Sequence, residues 1–384
     1  MHPPRAFRRT ALSLGLTAAL VASVSVPAYA GPADGLRGTG AATSPAAGPV
    51  HSITDSLARQ VASSLTDRSA RNRIVSAVTR DSVDLASVEP GSALSSAIRT
   101  ANRDVLAAKG LPASGGSLLR LRLADAGMRA ALDRGETPLV TAAPNDDTVT
   151  SVTAYDPAGR AVQLDAVRLP DRPVLVVEVD TSKALPMGLK LIRDELAARG
   201  LASTAADPTA TTRTTGSATA TAGYWATKVT AVRLSDDKEP WIKGDAEIFN
   251  LVGGFGLDGK AKVDVVQMPY LDKDGQTYYP NQLLVHFNGY KYNLADVVMM
   301  EDDGDTNYQG LVKAIVTALL TIVDGGMYIP LVNAILDAIP TSWYTDDPDY
   351  VDSWYTLSTS SSGRLNGAAG NGWLDVVPYF VQPL

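Results

Sequence analysis

"VVMMEDDGDTNYQG", residues 297–310, decides how the second half of the chain folds. A run of large apolar residues reads as a buried strand. It stops in Glu301, Asp302, Asp303 and Asp305, four carboxylates around Gly304. An apolar helical stretch, "YQGLVKAIVTALLTIV" (308–323), overlaps and follows it. Working outward, strands are expected near 226–234, 246–252, 261–268, 282–287 and 292–300. A second helical stretch, "YIPLVNAILDAI" (328–339), comes after Asp324, Gly325 and Gly326, and the strands "SWYTLST" and "WLDVVPYF" close the chain. Short strands separated by turn signals predict an antiparallel β-sandwich over 223–384, with a helical hairpin inserted at 308–339.

The first half has a different rhythm. Ile53, Leu57, Val61 and Leu65 recur every fourth residue, so an amphipathic helix is expected from a Ser52 cap. Leu94, Ile98, Ala101 and Val105 mark a second helix, and Leu118–Leu132 reads as a third. "TVTSVTAYDPAGRAVQL" predicts a hairpin turning at Asp156–Gly159, and "PVLVVEVD" (173–180) a strand buried on both faces. A helix near 187–199 follows. Residues 51–202 are thus expected as an α+β domain. It is separated from the sandwich by the Thr-, Ala- and Ser-rich stretch 203–222, read as a flexible linker, as is 31–50.

The start of the chain sets the expected compartment. "MHPPRAFRR" is basic, "TALSLGLTAALVASVSV" is apolar and "AYA" ends at Ala30, the pattern of a signal peptide over residues 1–30. The protein is therefore expected to be secreted. General secretion is the first expectation, and Arg8 with Arg9 keeps twin-arginine export as the alternative. The apolar run falls short of the roughly 20 residues that span a bilayer, so no transmembrane anchor is expected once the signal is removed. The 384 residues include no cysteine, which excludes disulfides, thiolate zinc sites and cysteine nucleophiles.

Charge is unevenly spread. Residues 223–384 carry 21 Asp and Glu against 10 Lys and Arg, a net of −11, whereas the whole chain carries −7. Nucleic acid is a poor partner for such a surface and a cation a better one. The acids also fall in alternate connections: Asp236 and Asp237, then Asp272 and Asp274, then Asp303 and Asp305, with Asp347 and Asp349 before the next strand. If neighbouring strands run antiparallel, alternate loops share one end of the sheets. Carboxylates spaced i and i+2 in converging loops are the ligands calcium takes, so these eight aspartates are the expected metal site. Taken one at a time, the same loops read as solvated turns.

Other chemistry is thinner. The mature chain would keep only His51 and His286, with no H-E-x-x-H, which argues against a zinc enzyme. No G-x-S-x-G elbow is present, and the Ser235–Lys238 spacing lacks its companion motifs. A carboxylate pair for hydrolysis is defined in space rather than in sequence.

At "LSDDKEPWIKGDAEIFNLV", "MPYLDKDGQTYYPNQLLVHF" and "EDDGDTNYQ" the chain resembles a family of secreted bacterial proteins known as domain-of-unknown-function family 3103. The resemblance implies secretion and supplies no catalytic residue. More loosely, the second half is similar to calcium-binding C2-like sandwiches, which implies calcium between acidic loops. The expected function is calcium binding for stability or adhesion. The alternatives are a secreted hydrolase using converging carboxylates and an extracellular protein-binding or inhibitory module, whose partner would be a protein or a cell surface.

Overall fold

The computed structural model describes residues 48–78, 82–88, 91–144, 149–203, 223–236, 242–244, 246–302, 304–339 and 350–383. The first half runs α1 (Pro49–Ser64), α2 (Arg68–Val78), β1 (Val83–Asp84), α3 (Ser92–Ala108), β2 (Leu119–Leu123), α4 (Arg129–Asp133), β3 (Leu139–Ala142), β4 (Ser151–Tyr155), β5 (Ala161–Asp165), β6 (Val174–Val179) and α5 (Thr181–Ala198). The second runs β7 (Tyr224–Leu234), β8 (Ile248–Phe255), β9 (Ala261–Gln267), β10 (Thr277–Tyr278), β11 (Gln282–His286), β12 (Leu294–Glu301), α6 (Tyr308–Leu319), α7 (Val332–Ala338), β13 (Tyr350–Ser358), β14 (Gly363–Asn366) and β15 (Gly372–Val381). The fold is mixed α+β, and its strand pairs are antiparallel except β3 with β6.

Local chemistry explains where the elements depart from expectation. Residues 118–132, expected as a helix, open instead with β2, because "LRLRL" alternates with a period of two. Leu119 and Leu121 are buried on one face, while Arg120 and Arg122 leave from the other and meet Glu178. Helix α1 starts at Pro49 rather than at a Ser52 cap. A proline at the first position has no N–H to leave unpaired, and the Ser52 hydroxyl donates back to the Gly48 carbonyl at 3.0 Å. Helix α5 starts at Thr181, earlier than expected, and carries Pro186 inside it.

Among the described residues the strands form three sheets. The first has the order β1-β2-β6-β3-β4-β5, the second β10-β7-β15-β14 with β11 also on β7, and the third β13-β12-β8-β9. The second and third contribute to one core, which holds Val229, Val232 and Leu374 together with Val252, Val297 and Trp354. The other face of the third sheet belongs to a different core. There Phe249, Leu251, Val298 and Met300 pack with Ile315 of α6, Leu189 of α5, Ile98 of α3 and Leu57 of α1. Segments 51–202 and 223–384, expected as two domains, therefore share their largest core, and residues 45–384 form one compact unit.

Two contacts fasten this seam. Gly188 lets α5 meet α6, since a Cβ there would lie 2.2 Å from the Tyr308 ring. The outer edge of β9 is covered by the exit of α5, where Val263 donates to the Leu201 carbonyl at 2.8 Å and Asp264 accepts from the Ser203 N–H at 3.0 Å. The apolar stretch 308–339 forms α6 and the shorter α7. Between them Val323 makes an isolated antiparallel bridge to Lys260. No helix among the described residues is long and apolar enough to cross a membrane.

Candidate active site

Strand β6 is buried throughout, and Glu178 is the one charge in it. Burying a carboxylate in a central strand is costly unless it is paired and hydrogen-bonded. The register supplies the partners, because Arg120 lies directly opposite Glu178. Arg120 Nε donates to Glu178 Oε1 at 2.5 Å, and Arg122 Nε reaches both carboxylate oxygens at 2.9 Å. Arg122 Nη2 also donates to the Ile242 carbonyl at 2.6 Å, clipping the segment that leads into β8 onto the first sheet. Burial works against the Arg120 charge, but Glu178 and Asp180 outweigh it and hold the guanidinium above its ordinary value.

That clip brings Glu247, the residue before β8, to the edge of a small cleft lined also by His51, Arg120, Thr181, Asp302 and Asp305. The cleft has about 50 Å³ in which the centre of a water molecule fits. One water needs roughly 10–15 Å³ on that measure, so a few waters or one small polar group can enter. Burial, then the charges of Asp302 and Glu178, push the Glu247 carboxyl up from 4.5 to about 8, against a hydrogen bond from Thr181 and the charge of Arg120.

Also lining the cleft, His51 has its Nδ1 2.9 Å from the Ala143 carbonyl. A carbonyl oxygen only accepts, so Nδ1 carries the proton, and in the neutral ring Nε2 keeps its lone pair. The His51 backbone N–H, in the first turn of α1, donates to Asp305 Oδ1 at 3.2 Å, which sets an acid at the positive end of that helix.

Asp302 is held from below. Its N–H donates to the Glu247 carbonyl at 3.0 Å, and Tyr308 donates its hydroxyl to Asp302 Oδ2 at 2.5 Å. Lys109, wholly buried at the end of α3, sits 3.8 Å from Asp302 Oδ1 and 5.0 Å from the centre of the Tyr308 ring, and donates to the Gly304 carbonyl at 2.9 Å.

The expected metal residues fare differently. Strand register puts the acidic connections at one end of the sheets: Glu301 pairs with Ile248, Gln267 with Phe249, and Met300 with Tyr350. The described aspartates have different surroundings. Asp305 takes the His51 N–H, Asp272 Oδ1 accepts the Tyr278 hydroxyl at 2.6 Å, and the Asp236 N–H donates to Asn371 Oδ1 at 3.1 Å. Asp274 lies exposed in a turn. Asp237, Asp303, Asp347 and Asp349 lie outside the described residues. Among the described residues no group of three or more His, Cys, Asp or Glu is arranged to hold a metal ion. Asp352, part of the same acidic run in sequence, is buried. It accepts backbone N–H groups from Ser353, Ala369, Asn371 and Gly372 at 2.8–2.9 Å.

Of the residues around the cleft, only Asp305 was among the eight aspartates. The signal that could have found Glu178 is its place as a lone charge in an apolar run, whereas Arg120 and Arg122 lie in a stretch expected as a helix and share a face only once it is a strand. Glu247 and His51 carried no comparable signal.

The family described as "Protein of unknown function (DUF3103)" matches residues 51–384. The chain belongs to this family. The match takes in all the cleft residues named above and both sides of the shared core. No curated protein matches this DUF3103 chain. No solved structure matches it either.

Proposed function

We propose that this DUF3103 protein is secreted and acts as a hydrolase on a sugar or peptide bond presented at the mouth of the cleft between α1, β6 and the start of β8, the cleft itself holding the acid–base centre and the attacking water. The carrying observation is Glu247, a carboxyl that keeps its proton near neutral pH while lining a space open to water. A proton held there is what a departing alkoxide or amine needs. His51 complements it, because the Nε2 lone pair can take a proton from an attacking water. Arg120 adds a fixed positive charge in the same cleft. The test is hydrolysis of a panel of chromogenic glycosides and peptides by the chain, Glu247→Gln and His51→Asn. Each substitution should lower kcat by roughly 100-fold or more, and activity should fall as pH rises through about 8. Unchanged kcat in Glu247→Gln would sink the reading.

A second reading is supported by the strand register, which leads the acidic connections to one end: calcium held between those loops for stability or adhesion. Calcium at 100 times its dissociation constant would then add about 2.7 kcal/mol, a rise of about 5 °C in Tm. A melting curve identical in calcium and in chelator would remove this reading.

A further inference from the structure

The end of the sheets opposite the acidic loops is apolar in an unusual way. Leu257, at the β8–β9 turn, is 70% exposed, and in the connection from α6 to α7 Val323 and Met327 are 80% and 76% exposed, flanked by Leu320 and Ile329. These side chains are held out by a rigid frame. The Val323–Lys260 bridge joins the two loops, and Asp324 accepts from Lys291 Nζ at 2.5 Å, the Tyr292 hydroxyl at 2.7 Å and the Gly326 N–H at 2.9 Å. Tyr328 and the Leu331 N–H are tied to the buried Asp296 at 2.8 and 2.5 Å. A loop fastened at both ends that still presents aliphatic side chains to water has a surface to meet.

Charge and ring chemistry identify that surface. The acids of the patch are balanced by lysines: Asp258 pairs with Lys262 at 2.9 Å and Asp324 with Lys291, and exposed Lys260 offsets the buried Asp296. The second half as a whole carries −11, with its acidic connections at the far end. Exposed Trp225 and Phe380, stacked edge to face at 5.3 Å, sit at the start of β7 and the end of β15. That is the same end of the sheets, because β11 pairs with the start of β7 and leads through a short turn to the start of β12. Aliphatic side chains on loop tips, aromatic rings, an exposed lysine and no net negative charge suit the interface of a bilayer. Acids at the opposite end are repelled by anionic headgroups and turn the patch toward them.

We propose that this patch is a peripheral membrane-docking surface that inserts Leu257, Val323 and Met327 into the headgroup region of an anionic bilayer. The test is flotation of the chain from residue 31 onward with vesicles of phosphatidylcholine alone or mixed with phosphatidylglycerol. The chain should float with the mixed vesicles and less with the neutral ones. The double variant Val323→Asp with Met327→Asp should lose roughly tenfold or more in binding while keeping its melting temperature, since both positions are exposed. Lys260→Glu should weaken binding to mixed vesicles only. No flotation, equal binding to both vesicle types, or unchanged binding by the double variant overturns the proposal. So does a lipid-free dimer that the double variant abolishes, which would assign the patch to a second copy of the chain.

Discussion

Replacing Glu247 with glutamine should stabilise the protein at alkaline pH, by an amount that grows with pH. In the folded chain burial, then Asp302 and Glu178, move this carboxyl from 4.5 up to about 8. The folded state thus binds the proton more tightly than the unfolded chain does. The stability linked to that proton is fully present below about 4.5, declines as pH rises through the window, and is gone above about 8. Each unit of separation is worth about 1.4 kcal/mol, so the swing is about 3–5 kcal/mol. Glutamine keeps the shape and the contact with Thr181 but does not ionise. Urea unfolding should therefore find the two proteins differing by a fixed amount at acid pH, then diverging in favour of Glu247→Gln until about pH 8, with parallel curves beyond it. A difference that stays constant across the whole window would refute the claim that the cleft holds a proton on Glu247. The same substitution is expected to abolish activity, so stability gained at one residue would be function lost there.

Three other perturbations probe a buried carboxylate in β13, the α5–α6 seam and the floor of the cleft. Asp352→Ala strands the four backbone N–H groups that converge on its carboxylate and should cost about 3–5 kcal/mol in urea unfolding; a loss under about 1 kcal/mol would show those bonds to be dispensable. Gly188→Ala drives a methyl into the Tyr308 ring and should cost about 2–4 kcal/mol, measured as a lower Tm. Lys109→Met leaves Asp302 buried without its ammonium neighbour. It should destabilise by about 3 kcal/mol and, by loosening the floor of the cleft, lower kcat in the hydrolysis assay.

Much of the strand pattern was legible because its cause is local. "PVLVVEVD", the Asp156–Gly159 hairpin and the strand before Glu301 all declare themselves by period and punctuation. "LRLRL" did not, because leucines at 118, 119, 121 and 123 also satisfy part of a helical repeat, and only the pairing of both arginines with Glu178 decides the period. The parity of the acidic loops followed from antiparallel order, which the register has. What each carboxylate does there was not legible. Asp352 is turned inward onto backbone N–H groups and Asp305 onto the start of α1, and both outcomes depend on chain segments far away in sequence. Glu247 looks like any charge before a strand until Arg122 clips its segment to a sheet some 120 residues earlier in the chain.

The shared core also sets an order of events during synthesis. When residues 51–202 have left the ribosome, the core that holds Leu57, Ile98 and Leu189 is incomplete, since its members Phe249, Met300 and Ile315 are still to be made. The early half must be kept from aggregating until the late half arrives, and the seam can close only as one of the last and slowest steps. A chain built this way cannot complete its largest core until its last helices, α6 and α7, are made.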